Sequence, residues 1–158
     1  MERERKFLVL HPPQDFTQRP HKQIRQGYLA TPGRGRDVEV RLRDEQGKYV
    51  LTVKGGRGAS RSETEVLLSK EGFRSLWPLT KGLRIEKMRY RIPLGHLTIE
   101  LDIYRGKLRG LKTAEVEFKS DRQLRRFQPP NWFGREVTGR DAFSNSRLAT
   151  LTRPPANR

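Results

Sequence analysis

Eight segments of the chain alternate between charged and apolar residues with a period of two. They span residues 2–10, 24–30, 38–44, 48–54, 61–68, 83–92, 96–104 and 113–119. Because successive side chains of a β-strand point to opposite faces, each segment predicts a strand with one ionic face and one apolar face. Short turn sequences such as Glu45-Gln46-Gly47 separate neighbouring segments closely enough for hairpins. The pattern therefore predicts an antiparallel sheet, and eight strands can close into a barrel.

Three short helices are predicted from capping residues. They run from a cap at Ser69 to Leu76 or Trp77, from a cap at Ser120 or Asp121 to Phe127, and from a cap at Asp141 to Leu151. The predicted fold class is α+β, an eight-stranded antiparallel β-barrel or tunnel with these helices packed outside. We expect a single domain over residues 1–152 and a flexible tail at residues 153–158.

The composition describes a folded but strongly basic chain. Its 158 residues include 34 Lys+Arg and 18 Asp+Glu, for a formal net charge of +16. A solvated basic surface accounts for this charge, and so does a polyanionic partner such as nucleic acid or a phosphate chain. The longest apolar stretch, Phe7 to Leu10, is far below the ~18–20 residues that a membrane-spanning helix needs. We therefore expect no membrane partner.

The cysteine content and the first residues bear on location. No cysteine is present, which excludes disulfide bonds and thiolate nucleophiles and fits a reducing compartment. Met1 is followed at once by Glu-Arg-Glu-Arg-Lys, without the apolar core of a secretory signal. If Glu2, Glu4 and Lys6 are site residues, nothing is cleaved from this end. We expect a cytoplasmic protein, either a monomer or a homodimer.

The ionic faces carry like charges in close pairs. Carboxylates are paired as Glu2/Glu4, Glu63/Glu65, Glu100/Asp102 and Glu115/Glu117, and cations as Arg41/Arg43 and Lys87/Arg89. Solvent-facing charges around an apolar barrel core would also alternate, but a solvated face gains nothing from neighbouring like charges, which repel. Grouped carboxylates are typical ligands of Mg²⁺ or Mn²⁺, and grouped Lys and Arg bind phosphate oxygens. The pairs favour a site where a metal bridges a phosphate chain and activates a water as nucleophile.

Seven motifs resemble those of the CYTH superfamily, the triphosphate tunnel metalloenzymes. In chain order they are Glu2 to Lys6 (ExExK), Glu39 to Arg43, Val50 to Gly55 with Lys54, Arg61 to Glu65 (RxExE), Lys87 to Arg89, Ile99 to Glu117, and Val137-Thr138 with Asn145 to Ala149. They follow the family order and cover almost the whole chain. The resemblance implies an eight-stranded antiparallel tunnel, with ionic strand faces lining the bore and apolar faces meeting the outer helices.

The resemblance also implies roles for individual residues. Glu2, Glu4, Glu115 and Glu117 would be metal ligands, and Glu63, Glu65 and Asp102 would hold a second metal or its waters. Lys6, Arg41, Arg43, Lys54, Lys87 and Arg89 would bind phosphate oxygens, and Glu2, Glu4, Lys6 and Glu117 would form the catalytic set. The cofactor would be Mg²⁺ or Mn²⁺. For each residue the alternative is an ion pair in the tunnel wall that only neutralises a neighbour.

The implied activity is metal-dependent hydrolysis of triphosphate compounds, with inorganic tripolyphosphate as the expected substrate. Alternatives within the family are an adenylate cyclase, a thiamine triphosphatase and a nucleoside triphosphatase. A different alternative is a non-catalytic binder of polyphosphate or nucleic acid, which the net charge would suit. One departure from the family lies after Val137-Thr138, where Gly139 to Phe143 replace the usual Asp-Lys-Arg-Tyr. Arg140 is the candidate substitute for the missing lysine.

Overall fold

The computed structural model describes residues 3–33, 37–56 and 62–156 and contains one antiparallel sheet. Its strands are β1 (Glu4–Val9), β2 (His21–Ala30), β3 (Val38–Glu45), β4 (Lys48–Gly55), β5 (Ser62–Leu68), β6 (Arg84–Leu94), β7 (Leu97–Tyr104), β8 (Lys112–Glu117) and β9 (Phe133–Glu136). They pair in the order β5-β4-β3-β2-β6-β7-β8-β1-β9. All eight predicted strands are present, and β9 is an addition.

The added strand β9 lies along the outer side of β1. Phe7 pairs with Glu136 in this ladder, and the Arg5 guanidinium donates to both carboxylate oxygens of Glu136 at 2.8 Å each. A strand of four residues that contains Gly134 has no readable alternation, so the period-two criterion could not detect it. The ion pair and the ladder together hold β9 in place.

The helices are short and lie between strands or after the last one. They are α1 (Lys70–Leu76), α2 (Asp121–Arg126) and α3 (Asn145–Leu148), with 3-10 turns at Phe16–Gln18, Trp77–Thr80, Gly106–Leu108 and Asp141–Phe143. Ser69 and Ser120 cap α1 and α2, as predicted. Across the described ranges, none of these helices has the length and apolar character that crossing a bilayer requires.

The last helix differs from the prediction of one helix from Asp141 to Leu151. The backbone is extended at Ser144 (φ −67°, ψ 146°), which separates a 3-10 turn from α3. The Ser144 hydroxyl accepts the N–H of Arg147 and donates to the carbonyl of Asp141. A second capping serine therefore divides the segment, since a capping residue is itself non-helical.

The sheet curls around a central cavity of about 530 Å³. Glu63 on β5 and Glu4 on β1 lie near opposite ends of the strand order, yet both line this cavity. A flat sheet would hold these two residues far apart, so the sheet must curl into a tunnel. Within the described residues, β5 and β9 do not pair with each other. The tunnel is therefore not sealed by a continuous hydrogen-bond ladder.

The two faces of the strands are distributed as the charge pattern predicts. On β1, Glu4 and Lys6 line the cavity, whereas Phe7 and Val9 are buried on the other face. This outer apolar cluster also includes Ile92, Ile99, Leu101, Ala114, Val116, Phe118 and Phe127. Burial of each such side chain contributes roughly 1.5–3 kcal/mol to the stability of the fold. The apolar core that supports the tunnel therefore lies outside its ionic bore.

One end of the cavity is apolar rather than ionic. Leu8, Tyr28, Ile85 and Tyr104 pack there against the C-terminal residues Val137, Phe143 and Leu148. Val137 and Phe143 also line the cavity. The C-terminal segment thus forms a packed wall of the cavity and fixes the position of the polar residues beside it.

Candidate functional site

The acidic side of the cavity is built by β1 and β8. The ladder places Glu4 opposite Glu117 and Lys6 opposite Glu115, and all four residues line the cavity. The Glu115 carboxyl is hydrogen-bonded to Glu4. Burial raises the pKa of Glu115, but this hydrogen bond and the charges of Lys6, Lys87 and Arg89 outweigh it, and the net shift is downward. Glu2, predicted for the same group, lies outside the described residues.

The cationic side comes from β3, β4 and β6. Arg41, Arg43, Lys54 and Arg89 all line the cavity. The Arg41 Nε atom is buried and has no hydrogen-bond partner among the described residues. Burial lowers the pKa of Arg43, and the charges of Arg41 and Arg89 lower it further. Cations this close together repel one another, so an anion between them would be stabilised.

A buried hydrogen-bond chain orients Arg43. Its Nε donates to Gln26 Oε1 at 2.9 Å, and Gln26 Nε2 donates to the Tyr28 hydroxyl at 2.7 Å. Gln26 and Tyr28 are fully buried, and burial raises the pKa of Tyr28 to about 12. Tyr28 therefore stays neutral, and the chain fixes the direction of the Arg43 fork without adding a negative charge.

Lys87 and Asp102, both predicted as site residues, lie behind the cavity wall and not on its surface. Lys87 Nζ donates to Asp102 Oδ2 at 2.7 Å, and Arg89 donates to both oxygens of the same carboxylate. Arg89 also pairs with Glu100. Because Lys87 and Asp102 are buried, their part in this arrangement is to hold Arg89, which does reach the cavity.

The second predicted acidic pair stands on the edge strand β5. Glu63 and Glu65 both line the cavity and are exposed. Lys54 Nζ lies 3.6 Å from Glu63 Oε2, across the ladder between β4 and β5. The structure thus brings together ten of the thirteen predicted site residues around one space, with Lys87 and Asp102 behind the wall.

The C-terminal segment covers part of the cavity. Lys6 is joined to it three times: its carbonyl accepts Val137 N–H, its N–H donates to Thr138 Oγ1, and its Nζ donates to the Phe143 carbonyl at 2.8 Å. Arg140, the predicted replacement for the missing family lysine, lines the cavity beside Asp141. The departure from the family motif therefore still delivers a cation to this wall.

Among the lining residues that sequence reasoning did not assign to the site are Glu39, Tyr28 and Asn145. Glu39 shares the face of Arg41 and Arg43 on β3, so the period of two could have identified it. Tyr28 lies on a segment of weak alternation, and Asn145 reaches the cavity from α3, where its Oδ1 accepts the Tyr104 hydroxyl at 2.7 Å. No alternation indicates Tyr28, and Asn145 was noted only as part of the C-terminal motif, without a role in the cavity.

The donor chemistry of the acidic side fits a hard divalent cation. Glu4 and Glu115 place two carboxyl groups in contact, and a shared proton or cation relieves the repulsion of such a pair. Within residues 3–33, 37–56 and 62–156, however, no group of three or more His, Asp or Glu side chains is placed so that it could hold a metal ion. The assignment of metal ligands stays a prediction, including Glu2 beyond these ranges.

Comparison with known proteins identifies a family and several similar proteins. The family model of the CYTH domain matches residues 1–136. An inorganic triphosphatase of Nitrosomonas europaea is 43% identical over 149 residues, which cover 92% of this chain and 95% of the relative. An inorganic triphosphatase of Acetivibrio thermocellus is 38% identical over 126 residues, 78% of each chain.

The fold agrees with these relationships. The crystal structure of the inorganic triphosphatase NE1496 is 38% identical to this chain and superposes on it with a TM-score of 0.76. The match covers 98% of this chain and 97% of that one. Its extent includes every strand that contributes to the cavity and the C-terminal segment that covers it. By sequence and by fold, this chain belongs to the CYTH family.

Proposed function

We propose that this protein is a divalent-metal-dependent hydrolase of triphosphate compounds and that inorganic tripolyphosphate is its substrate. The observation that carries the proposal is the Arg41 Nε atom, which is buried without a partner among the described residues, in a wall of cations that faces paired carboxylates. A buried donor without an acceptor costs about 1–3 kcal/mol, and a phosphate oxygen would satisfy it. The relatives named as inorganic triphosphatases support the same substrate class.

The cationic wall would bind the phosphate chain. Arg41, Arg43 and Arg89 each present a planar fork that suits two oxygens of a phosphate, and Lys54 adds a point charge. The Gln26–Tyr28 chain and the Asp102 carboxylate fix Arg43 and Arg89 before substrate arrives. Because these groups need little reorganisation, they stabilise charge that develops on the phosphates during reaction.

The acidic wall would hold the metal. Glu4, Glu115 and Glu117, with Glu2, are the proposed ligands of Mg²⁺ or Mn²⁺, and Glu63 and Glu65 are the proposed holders of a second ion. When bound, such an ion supplies charge neutralisation and Lewis-acid activation at the phosphoryl oxygens. The carboxylates themselves prevent the bore from being uniformly positive. Their negative charge orients the phosphate chain towards the cations opposite.

The proposed reaction is the hydrolysis of one phosphoanhydride bond. Water adds to the terminal phosphorus of tripolyphosphate and the bridging P–O bond breaks. Orthophosphate carries away the water oxygen with one of its protons, the other proton passes to the leaving oxygen or to the solvent, and pyrophosphate leaves. Lys6, whose Nζ is held near the cavity by the Phe143 carbonyl, is the proposed cation for the negative charge on the leaving pyrophosphate. The other twelve predicted residues need no covalent role, which fits a reaction governed by positioning and charge.

Parallel assays test the substrate and the metal. Tripolyphosphate, ATP and thiamine triphosphate are offered with Mg²⁺, with Mn²⁺ and with excess chelator. We expect metal-dependent phosphate release that is fastest from tripolyphosphate, and Arg41→Ala should raise its KM about tenfold or more, as loss of a charged hydrogen bond predicts. Arg122→Ala, an exposed arginine on α2, is the matched control and should behave as wild type.

The alternatives remain defined outcomes of these assays. Cyclic AMP from ATP would identify a cyclase, and preference for thiamine triphosphate or ATP would replace the substrate. Salt-sensitive binding of polyphosphate or RNA without turnover would identify a binding module, although carboxylates inside the cavity disfavour an anion without metal. The cytoplasmic location, the oligomeric state and the single domain over residues 1–152 stay predictions.

A further inference from the structure

A second cationic cavity of about 460 Å³ lies outside the tunnel. Arg84 and Glu86 line it, and on β6 they alternate with Lys87, which belongs to the tunnel wall. Alternate residues of a strand point to opposite faces, so Arg84 and Glu86 face away from the bore. None of the residues that the structure describes lines both this outer cavity and the tunnel cavity. The two are separate spaces on opposite faces of the sheet.

The lining of the outer cavity is strongly basic. Arg25, Arg84, Arg105 and Lys107 face one carboxylate, Glu86. These cations come from β2, from β6 and from the loop after β7, so the fold gathers them from separate parts of the chain. Arg25 is neutralised by Asp44, at 2.6 Å between Nη2 and Oδ2. Three cations remain against one carboxylate, which leaves the cavity positive.

Arg84 is fixed in place by three contacts. Its Nε donates to Thr80 Oγ1 at 2.9 Å, its Nη2 donates to the Trp77 carbonyl at 2.8 Å, and its Cζ lies 4.5 Å from the Trp77 ring centroid. Its Nη1 has no hydrogen-bond partner in the part of the chain that the structure describes. A guanidinium held this way needs no ordering when it binds an anion, which favours affinity.

Two further cations, Arg105 and Lys107, line the same cavity. The Arg105 backbone N–H donates to the Glu86 carbonyl at 2.8 Å, which fixes the loop to β6, while its side chain has no ion-pair partner among the described residues. Lys107 Nζ donates to the neutral Ala149 carbonyl, and burial lowers the pKa of Lys107. Within the described ranges neither cation is matched by a carboxylate, so both are available to an incoming anion.

The aromatic ring in the lining argues against a nucleobase. Trp77 is stacked on Phe73, with ring centroids 5.1 Å apart, and the Arg84 and Arg25 guanidinium groups lie 4.5 and 5.4 Å from its centroid. These contacts already use the ring surface on which a base would stack. The remaining chemistry, forked guanidinium groups and an ammonium, is that of oxyanion binding.

We propose that this outer cavity is a second anion site for a short inorganic phosphate chain, with Arg84, Arg105 and Lys107 as its ligands. Pyrophosphate carries two phosphoryl groups, one for the fixed Arg84 fork and one for Arg105 and Lys107. The site stands on its own geometry and does not require that the tunnel hydrolyses triphosphate. It also gives a specific role to part of the +16 charge that the tunnel does not use.

Binding of inorganic pyrophosphate, measured by titration calorimetry at constant ionic strength with chelator present, tests the proposal. The tunnel is weakened by Arg41→Ala, and in that background we expect one remaining site. Adding Arg105→Gln and Lys107→Gln should weaken this site about 100-fold or more, since two charged hydrogen bonds are lost. Arg109→Gln, an exposed arginine outside the lining, is the control and should leave affinity within about twofold.

Each result either supports or overturns the second anion site. Binding that vanishes with Arg41→Ala alone, or that persists unchanged in the Arg105→Gln, Lys107→Gln variant, overturns the second site. Loss of binding to a short RNA, without loss of pyrophosphate binding, would assign these cations to nucleic acid and also overturn it. Thermal unfolding of each variant separates loss of a site from loss of the fold. Tripolyphosphate hydrolysis by the Arg105→Gln, Lys107→Gln variant reports on the tunnel independently.

Discussion

Lys87 Nζ lies 2.7 Å from Asp102 Oδ2, and the two side chains are 0% and 2% exposed. Arg89 reaches the same carboxylate with Nε at 2.8 Å and Nη2 at 2.9 Å. Burial raises the pKa of Asp102, but the charges and hydrogen bonds of Lys87 and Arg89 outweigh it and hold the pKa well below its usual range. One carboxylate is therefore the common partner of two basic side chains, of which only Arg89 faces the tunnel cavity.

This unequal sharing predicts unequal costs of substitution. Asp102→Asn leaves two cations without their shared carboxylate and should destabilise the fold by about 3–5 kcal/mol. Lys87→Met removes a buried charge while Asp102 keeps both bonds from Arg89, so the loss should be about 1 kcal/mol or less. Urea unfolding of the two variants provides the measurement. Equal losses would show that Asp102 does not act as the common partner.

Lys87→Met also tests the predicted contact of Lys87 with phosphate. If Lys87 stays on Asp102, the KM for tripolyphosphate should change by less than about threefold, since no direct charged hydrogen bond is lost. Steady-state kinetics of this variant beside Arg41→Ala make the comparison. A rise in KM as large as that of Arg41→Ala would mean that Lys87 turns from Asp102 to the substrate.

Neutralising the acidic wall should remove turnover without removing the fold. Glu4→Gln and Glu117→Gln keep the shape of each side chain but remove a proposed metal ligand, so kcat should fall by about 100-fold or more. Metal titrations of activity and of thermal stability would follow the effect. Glu71→Gln, an exposed residue on α1, serves as the matched control. Wild-type activity in both site variants would refute the assignment.

The pair of Arg5 and Glu136 predicts a dependence of stability on pH. The hydrogen bond from Arg5 lowers the pKa of Glu136, burial opposes this, and a hydrogen bond from Thr138 lowers it further. A lowered carboxyl pKa stabilises the fold at pH values above the unfolded value of ~4.3, and the contribution is lost as pH falls through the folded pKa.

The comparison that tests this dependence is wild type against Glu136→Gln. Because the Glu136 side chain is 39% exposed, the difference in unfolding free energy at pH 7 should be below about 1 kcal/mol. It should shrink steadily as the pH is lowered below ~4.3. Urea unfolding at several pH values measures it, and a difference that grows with acidity would contradict the sign.

Gly27 on β2 predicts a packing defect when substituted. A Cβ built there would lie 2.6 Å from Thr80 Oγ1 and 2.7 Å from Thr80 Cβ, so the 3-10 turn after α1 must shift. Gly27→Ala should therefore cost about 1–3 kcal/mol, the usual range for overpacking. Gly55→Ala, where the nearest atom is Ser62 Oγ at 3.6 Å, is the control with an ordinary contact. Equal melting temperatures for the two variants would remove the proposed clash.

Much of the fold could be predicted because alternation records which face of a strand is apolar. On β1, alternation separated Glu4 and Lys6 from Phe7 and Val9, and the like-charge pairs and the resemblance to the CYTH superfamily then placed the ionic face inside the tunnel. β9 escaped because Gly134 interrupts a segment of only four residues. Alternation cannot reveal a strand whose place in the sheet depends on neighbouring strands and not on its own residue pattern.

The sequence predicted which residues belong to the site but not which of them are buried behind the cavity wall. Arg41 and Lys87 look alike in the sequence, each on an ionic face with a basic residue two positions away. In the structure, Arg41 reaches the cavity, whereas Lys87 is fully buried against Asp102. Which of two cations reaches the bore depends on the neighbouring strand that faces it, and that pairing is set by topology. The split at Ser144 is a similar case, since either Asp141 or Ser144 can cap a helix.

The missing seam between β5 and β9, in the part of the chain that the structure describes, has a mechanical consequence. A sheet with two free edges can tighten or relax its curvature without breaking any ladder bond. The distance between the carboxylates of β5 and those of β1 can then change with the size of the molecule that lies between them. A longer anion would move these two groups of carboxylates apart, and a shorter one would let them approach. Only side-chain contacts would be lost in either movement.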